Sequence, residues 1–399
     1  MQQKGLELMF AAERIVVVGG DGFCGWPTAL DQSARGADVL IIDDFSRRKI
    51  DAELGTSSLT PITSIAERVA AWQSTTGRSI RVTELDISTS ADWLESVLSD
   101  FRPDAVLHFG EQRSAPYSML SAETSRYTFR RNTIGTYNLL TAIKNTASDA
   151  HLVHIGSIGV YGYSTKPWTM PEGYLRVTVP ASVAPNDIHE IMHPFEPVSS
   201  YHLTKSMDAQ MFEFYARTFG LRITDLHQGI VWGSQTVLTI GAPALVNRFD
   251  YDAIYGTVVN RFILQAAVGQ DLTVYGTGEQ TRAFIHIADI VECIDLALRN
   301  SPRRGDRVLV RNQVSESMCV ADVAKIVADA TGAGISCVDN PRIENTSNSL
   351  RVDADSYRAL GLVARTIGPE TVRDEHRIAA QFAHRADRDV ILPKSALRS

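Results

Sequence analysis

The chain has 399 residues, room for two or three domains at about 150 residues each, and 44% of the residues are hydrophobic while 21% are charged. This ordinary globular composition excludes wholesale disorder, collagen and coiled coil. The formal net charge is −7, from 39 Lys and Arg against 46 Asp and Glu. A general nucleic-acid binder is therefore not expected, because such proteins need a positive field to displace counterions.

The cysteines and the hydropathy pattern bear on location and partners. Cys24, Cys293, Cys319 and Cys337 include no C-x-x-C pair, so neither a disulfide framework nor a zinc site is indicated, and a reducing cytoplasm is the simplest location. The N-terminus lacks the pattern of a signal peptide, and no stretch reaches the roughly 18 apolar residues that a membrane span needs. No membrane partner is expected.

From Arg14 onward the pattern predicts alternating strands and helices, which is typical of a parallel sheet covered on both faces. Ile15–Val18 is wholly apolar, as expected of a buried central strand. We predict an α/β fold with a Rossmann-type doubly wound parallel sheet and a smaller α/β substrate-binding lobe. The first helix is predicted at 24–35, and the strands at 15–18, 38–42, 80–85, 105–109, 151–155 and 223–227.

Two irregular segments interrupt this alternation. Residues 45–79 form a long connection with a predicted helix at 64–72, which we expect to cover a cofactor or to join a partner. Residues 163–197 contain six prolines and are predicted to form a loop or hairpin over the functional site. The predicted domains are an NAD-binding domain at 12–227, to which later segments can return, a substrate-binding lobe at 228–385 and a tail at 386–399.

A glycine-rich turn follows the first predicted strand and opens the first helix. Gly19, Gly22 and Gly25 have the G-x-x-G-x-x-G spacing, which lets the backbone approach a pyrophosphate at the helix N-terminus. Asp43 ends the second predicted strand, where it can bind the adenosine ribose hydroxyls and would repel a 2′-phosphate. The predicted cofactor is therefore NAD, and the alternative is a plain glycine turn with a surface aspartate. The predicted site also includes Asp21, Phe23 and Cys24 in the turn, Asp86 after the next strand, and Arg47. Arg47 and the nearby Arg48 weaken the preference for NAD over NADP.

A tyrosine and a lysine four residues apart, Tyr201 and Lys205, lie on one face of a predicted helix. Free tyrosine has a pKa of about 10 and is a poor base at neutral pH. A neighbouring ammonium and the positive nicotinamide ring favour the phenolate, so we expect Tyr201 to take a hydroxyl proton while a hydride leaves the same carbon for NAD. Ser157, at the end of an earlier strand, is expected to hydrogen-bond the reacting oxygen. A solvated helix face is the alternative for the pair alone.

Together with the Asn132–Thr136 segment and the string FGEQRSAPYSM at 109–119, these motifs resemble the extended short-chain dehydrogenases/reductases of the nucleotide-sugar epimerase and dehydratase family. The likeness covers about Arg14–Glu344. It implies that bound NAD oxidises a sugar hydroxyl to a ketone, which acidifies the neighbouring C–H so that water is eliminated across the 5,6 bond of a nucleotide sugar or a nucleoside. It also implies that His202 is the acid for the departing hydroxyl and that the protein is a homodimer.

The resemblance implies further binding residues. For the cofactor, besides Tyr201 and Lys205, these are Ile87, Phe109, Gly110, Asn132 and Gln228. For the substrate, they are Gln112, Arg113, Thr257, Arg261, Arg282 and Arg342. Arg282 and Arg342 are expected to pair with a diphosphate, which an uncharged nucleoside would not offer.

The likeness is greatest to members that add sulfite to the resulting alkene. In those members the strand-end segment reads Gly-Thr-Met-Gly-Glu-Tyr-Gly, whereas Ser157, Ile158 and Val160 replace its Thr, Met and Glu here. Isoleucine and valine cannot transfer protons, so use of sulfite stays open. The other open functions are an epimerase without elimination, a dehydrogenase that releases NADH, and a non-catalytic NAD-sensing protein.

One further pattern suggests a metal. Residues 189–193 match H-E-x-x-H, which binds zinc when both histidines lie on one helix. Pro185 and Pro194 leave no room for such a helix, so zinc proteolysis is disfavoured and no metal site is predicted.

Overall fold

The structure is a computed structural model and describes residues 12–163, 165–166, 168–178, 188–340 and 348–392. Its strands are β1 (Arg14–Val18), β2 (Asp38–Asp43), β3 (Ile80–Glu84), β4 (Ala105–His108), β5 (His151–Ser157), β6 (Tyr174–Thr178), β7 (Ile188–Met192), β8 (Arg222–Gln228), β9 (Ile230–Trp232), β10 (Leu272–Tyr275), β11 (Thr281–His286), β12 (Leu309–Gln313), β13 (Glu316–Cys319) and β14 (Ile335–Val338). Its α-helices are α1 (Gly25–Ala34), α2 (Ser46–Leu54), α3 (Ile65–Thr76), α4 (Ala91–Phe101), α5 (Ala115–Ser118), α6 (Ala122–Phe129), α7 (Gly135–Thr146), α8 (Ser200–Phe219), α9 (Val258–Ala267), α10 (Ile287–Arg299), α11 (Val320–Thr331), α12 (Asp355–Ala359) and α13 (Pro369–Phe382).

Seven parallel strands form the central sheet in the order β3-β2-β1-β4-β5-β8-β12. The strand order reverses between β1 and β4, and ligands bind in the crevice at the carboxyl ends of strands at such a point. The predicted α/β class and doubly wound sheet are confirmed. The six predicted strands of this sheet lie within two residues of the observed ones.

The central strand β1 is buried on both faces, as its apolar sequence predicts. Ile15 and Val17 pack into one hydrophobic cluster, whereas Val16 and Val18 pack into a second cluster on the other face of the sheet. None of the four side chains is more than 2% exposed. Because successive side chains of β1 point to opposite faces, the strand packs against the helices on both sides of the sheet. The ends of the strands in this sheet position the site.

The second half of the chain contributes to both lobes. The smaller lobe contains the three-stranded sheet β13-β11-β9 and the two-stranded sheet β10-β14. β12 pairs with β8 in the central sheet, so the chain returns to the first domain after residue 228. Residues 386–392 of the predicted tail are packed on the smaller lobe, where Ile391 is 1% exposed. The domain limits themselves stay predictions. Among the described residues, no helix has both the length and the apolar character required to cross a bilayer.

The proline-rich segment contains a hairpin in which β6 pairs antiparallel with β7. β7 carries His189, and His193 follows it, so the H-E-x-x-H motif lies on an extended strand and its histidines do not share a helix face. This geometry removes the basis for the zinc interpretation. The absence of a metal elsewhere stays a prediction.

The long connection after β2 forms α2 and α3 and is fixed to α1. Trp72 of α3 is 1% exposed, and its indole N–H donates to the Ser33 hydroxyl at 3.0 Å. Arg68, one turn earlier, is also 1% exposed and lies 3.9 Å from the ring centroid of Trp26. The predicted helix at 64–72 is thus present, and it is a packed part of the first domain.

Replacing Trp72 with alanine should lower the free energy of unfolding by about 3–5 kcal/mol, because it removes a fully buried indole and leaves a cavity. Trp93 is a matched control on α4, since its side chain is 53% exposed. Trp93→Ala should change the free energy by no more than about 0.5 kcal/mol. Urea unfolding followed by circular dichroism measures both, and equal losses would contradict the packing described for α3.

Candidate active site

The glycine turn between β1 and α1 leaves no space for side chains. Gly19 has a φ of 80°, and a Cβ atom there would lie 2.6 Å from the backbone carbon of Phe109. A Cβ on Gly25 would lie 2.1 Å from the carbonyl oxygen of Gly19. The turn therefore packs directly against the end of β4 and leaves the N-terminus of α1 facing the cavity, which suits a pyrophosphate.

Asp43 ends β2 at the wall of the same cavity. Its carboxylate accepts hydrogen bonds from the backbone N–H groups of Asp21 and Phe45, both at 2.8 Å. Burial raises the pKa of Asp43 to about 6, although these two hydrogen bonds oppose the rise. The carboxylate is therefore fixed and ionised at neutral pH, as a ribose-binding group requires.

The arginines near Asp43 are already paired with aspartates. Arg48 and Arg68 contact the Asp21 carboxylate at 2.5 and 2.8 Å. Arg47 stacks 3.6 Å from the ring centroid of Tyr255 and forms ion pairs with Asp51 and Asp250. Because their charge is compensated within the protein, these arginines do not form a site for a 2′-phosphate, which agrees with NAD.

Most of the predicted cofactor residues line this cavity. They are Gly19, Asp21, Gly22, Phe23, Cys24, Gly25, Asp43, Arg47, Ile87, Phe109, Gly110, Tyr201, Lys205 and Gln228.

Two predicted cofactor residues do not line the cavity. Asn132 is buried and fixes the loop after β4, accepting from the backbone N–H of Gln112 at 2.8 Å and donating to the Thr204 hydroxyl at 3.0 Å. Asp86 is held by Arg131 and by the Ser88 hydroxyl. Their side chains make these contacts within the protein, and direct contacts with the cofactor stay a prediction for both.

Ser157 and Tyr201 are brought together by the end of β5 and the first turn of α8. Ser199 caps α8, and its hydroxyl accepts from the backbone N–H of His202 at 3.2 Å. The helix thereby begins one residue before Tyr201 and brings its phenol close to Ser157, which lowers the pKa of Tyr201. Both side chains line a second cavity, on the side of the smaller lobe.

Lys205 lies one turn further along α8 and is 5% exposed. Its ammonium donates to the carbonyl oxygen of Ile155 at 2.6 Å and forms an ion pair with Glu111. Burial disfavours the ammonium, but the Glu111 carboxylate outweighs it and raises the pKa of Lys205. Lys205 is thus held as a cation, with Nζ 5.9 Å from the ring centroid of Tyr201.

The surroundings of Tyr201 act on its ionisation in opposite directions. Burial raises the pKa of Tyr201 above its ordinary value, and the Glu111 carboxylate adds to the rise, whereas Lys205 and Ser157 oppose it. In the protein without cofactor, the phenol is therefore protonated at neutral pH. The neighbouring ammonium nevertheless favours the phenolate, and the further effect of a positive nicotinamide ring stays a prediction.

Glu111 was missed as a functional residue by the sequence reasoning. It lies within the string at 109–119, but a lone glutamate after a strand does not indicate that it will meet a lysine 94 residues later. One feature of the sequence could have indicated it. Glu111 follows β4 closely, at the strand-order reversal where polar groups lie at the carboxyl ends of the strands.

His202 lies at the wall of the second cavity, as predicted, and is 5% exposed. Its Nδ1 is 2.9 Å from the Ser199 hydroxyl, and the ring packs against the backbone of Gly159. Burial lowers the pKa of His202 to about 4, so the imidazole is neutral at pH 7. A neutral imidazole is a hydrogen-bond donor rather than a strong acid, which weakens the predicted acid role.

The second cavity collects four of the six predicted substrate residues. Arg113, Thr257, Arg261 and Arg282 line it. Gln112 instead lines the first cavity, and its side-chain amide donates to the Ser114 carbonyl at 2.9 Å. Arg342 lies outside the described residues.

The two cavities are adjacent and share part of their wall. Both are lined by Phe23, Cys24, Arg113, Tyr201, Gln228 and Tyr255. Tyr201 thus stands where a dinucleotide in the first cavity would meet a second ligand in the other. The glycine turn, the fixed Asp43 carboxylate and this shared wall fit NAD.

Replacing Asp43 with alanine should weaken NAD binding by about 10- to 100-fold, because charge-assisted hydrogen bonds are lost. For the unsubstituted protein, NAD affinity should fall as the pH decreases through 6, since the carboxylate is protonated near its pKa of about 6. Asp38→Asn at the exposed start of β2 is the control and should leave affinity unchanged. Calorimetric titration of cofactor-stripped protein tests this, and an unchanged affinity for Asp43→Ala would refute the ribose contact.

Comparison with known proteins agrees with this geometry. The family model of the NAD dependent epimerase/dehydratase family matches residues 15–310. The chain is 40% identical to the chloroplastic UDP-sulfoquinovose synthase of Spinacia oleracea over 386 residues, which are 96% of this chain and 78% of that protein. It is 34% identical to the UDP-sulfoquinovose synthase of Sulfolobus acidocaldarius over 393 residues, which are 96% of this chain and 98% of that protein.

A solved structure supports the fold. The UDP-glucose 4-epimerase of Stenotrophomonas maltophila, with bound NAD and formylated UDP-arabinopyranose, superposes with a TM-score of 0.68 at 20% identity, covering 94% of this chain and 100% of that one. The family resemblance and the predicted cofactor are thus confirmed. The protein is an enzyme that belongs to the NAD-dependent epimerase/dehydratase family.

Proposed function

We propose that the protein oxidises a hydroxyl of a nucleotide sugar to a ketone and then eliminates water across the sugar 5,6 bond. The observation that carries this proposal is the shared wall at Tyr201, which joins the cofactor cavity to the second cavity. The relatives named UDP-sulfoquinovose synthase support a UDP-sugar as the substrate class, and the relative named UDP-glucose 4-epimerase suggests UDP-glucose as the first sugar to try.

The chain's own residues account for the proton steps. When bound, NAD would accept the hydride of the carbinol carbon and return it to the ketone after the elimination, so that the net change is the loss of one water. Tyr201 takes the hydroxyl proton as the ketone forms and gives it back at the end, Ser157 hydrogen-bonds the reacting oxygen, and Lys205 holds positive charge beside them. The ketone stabilises the carbanion left by loss of the neighbouring proton, and that proton leaves together with hydroxide from the adjacent carbon as water, with His202 as a hydrogen-bond donor to the departing oxygen.

Two buried arginines favour a nucleotide sugar over a free nucleoside. Arg261 and Arg282 are 5% and 6% exposed and lie on the wall of the second cavity. Arg261 stacks 4.4 Å from the ring centroid of Tyr275, and Arg282 stacks 4.7 Å from that of Tyr163. Planar guanidinium groups fixed in this way suit the charge and bidentate geometry of a diphosphate.

Addition of sulfite to the alkene is a separate step, and the residues at positions 158 and 160 bear on it. Ile158 lines the second cavity, whereas Val160 is buried in the core with Tyr161 and Met170. Neither can move a proton, so a sulfite-adding reaction would need the arginines of this cavity to hold the anion. We therefore propose dehydration as the common step and sulfite as a second reactant to be tested.

An epimerase without elimination is the second candidate function. It shares the oxidation at Tyr201 and is represented among the relatives by the UDP-glucose 4-epimerase of Azospirillum brasilense, which is 24% identical over 87% of this chain. The two functions differ in product mass, because epimerisation conserves every atom of the sugar and elimination removes one water.

The protein should convert UDP-glucose into a product that has lost one water, seen by mass spectrometry, and into a sulfite adduct if sulfite is used. Tyr201→Phe should lower turnover by about 10²- to 10⁴-fold while keeping the fold and bound NAD, since it removes only the proton acceptor. Tyr137→Phe is the control, because Tyr137 is 51% exposed. A panel of GDP- and ADP-sugars and free nucleosides identifies the preferred substrate, and undiminished turnover in Tyr201→Phe would refute the assigned base.

We also propose a homodimer in a reducing compartment such as the cytoplasm. Leu203, Met207 and Phe214 form an exposed apolar stripe on α8, and Tyr137 on α7 is exposed as well. The four cysteines form no disulfide. Light scattering should give twice the chain mass, and Phe214→Glu should shift it towards the monomer, whereas a monomeric unsubstituted protein would contradict the dimer.

A further inference from the structure

A cluster of ionisable side chains is buried beneath Tyr201, on the side away from the second cavity. It is built by the ends of β4, β5 and β8 together with α8, and each of its side chains is at most 5% exposed. Its members are His108, Glu111, His154, Lys205, Asp208, Asp225 and His227. The reaction proposed above uses only Lys205 among them.

Glu111 is at the centre of this cluster. One carboxylate oxygen accepts from His154 Nε2 at 3.0 Å and from the Thr136 hydroxyl at 3.2 Å. The other oxygen faces the Lys205 ammonium. The nearest oxygen of Glu111 also lies 3.4 Å from Nε2 of His108. Four partners from separate elements therefore fix the position of this carboxylate.

The charges of the cluster are distributed unequally. Burial opposes ionisation of Glu111, but Lys205 and the hydrogen bond from His154 outweigh it and hold the pKa of Glu111 well below its usual range. Asp208 is equally buried, and burial together with the Glu111 charge raises its pKa well above its usual value. These directions favour the anion for Glu111 and the protonated acid for Asp208, whose two oxygens have no hydrogen-bond partner within the described structure.

The other groups of the cluster are arranged around His154. Its Nδ1 contacts Asp225 at 2.8 Å, and Asp225 contacts His227 at 3.0 Å. Burial and Lys205 lower the pKa of His154, but the hydrogen bonds to Asp225 and Glu111 raise it on balance. Asp225 thus serves His154 and His227, which leaves Glu111 as the carboxylate paired with Lys205.

We propose that Glu111 is a positioning residue that acts through Lys205, neutralising its ammonium inside the protein and so keeping the Tyr201 phenol protonated until a further positive charge arrives. The single charges of Lys205 and Glu111 cancel close to the phenol. A cation entering the first cavity is then the one new charge that favours the phenolate. This inference rests on the proposed function only in taking Tyr201 as the base.

The test is a tyrosinate titration of the whole protein without cofactor or sugar, followed by absorbance near 295 nm. The signal of Tyr201 is the difference between each protein and the same protein carrying Tyr201→Phe. Glu111→Gln should shift the Tyr201 midpoint down by about one pH unit or more, because Lys205 is then uncompensated. Glu111→Asp keeps the charge and should restore most of the original midpoint.

Asp208→Asn is the matched control, since Asp208 lies in the same cluster but carries no charge. It should leave the Tyr201 midpoint unchanged. An unchanged midpoint in Glu111→Gln, or an equal shift in Asp208→Asn, would overturn the proposal. A protein that titrates as proposed but does not act on UDP-glucose would refute the proposed substrate and leave this inference standing.

A second measurement avoids the neutral substitution in case it prevents folding. Unsubstituted protein labelled with carbon-13 at the glutamate carboxyl carbons is titrated by NMR, and Glu111→Asp identifies the signal of Glu111. That signal should keep its carboxylate shift as the pH falls through about 4, where ordinary glutamates titrate. Titration at the ordinary pH would overturn the proposal.

Discussion

The burial of the Lys205 ammonium against the Glu111 carboxylate is the interaction on which the site depends. Both charges are withdrawn from water, and breaking such a pair by removing one partner typically costs about 3–5 kcal/mol. Here the pair is completed by the Ile155 carbonyl and by His154, so that each charge has more than one partner. The central sheet helps to offset the free energy cost of burying the pair, because its strand ends hold these groups at fixed positions.

The sheet connects this pair to the rest of the chemistry. Glu111 lies three residues after the end of β4, β5 ends at Ser157, and α8 carries Tyr201 and Lys205 on successive turns. These elements meet beside the strand-order reversal, where the glycine turn after β1 opens the cofactor cavity. One architectural feature thus places Tyr201 at the cavity that fits the cofactor, as the proposed oxidation requires.

The sequence predicts those parts of the structure that depend on local patterns. The apolar run of β1, the glycine turn and the Tyr201–Lys205 spacing each have a meaning within a few residues, and they were predicted near their observed places. Glu111 could not be predicted, because its role arises only when β4, β5 and α8 converge. The sequence also does not reveal which way a polar residue near a motif faces. Asn132 is predicted to bind the cofactor, and in the structure its side chain accepts a hydrogen bond from the backbone N–H of Gln112.

We expect the sugar to reduce the cofactor while both remain bound to the protein, and rapid mixing measures this step. The NAD-loaded protein is mixed with UDP-glucose, and absorbance near 340 nm is followed together with the release of reduced cofactor through a filter. Absorbance should rise transiently, no reduced cofactor should be released, and Tyr201→Phe should show no rise. A continuous release of NADH, or no rise although calorimetry shows the sugar bound, would contradict this expectation.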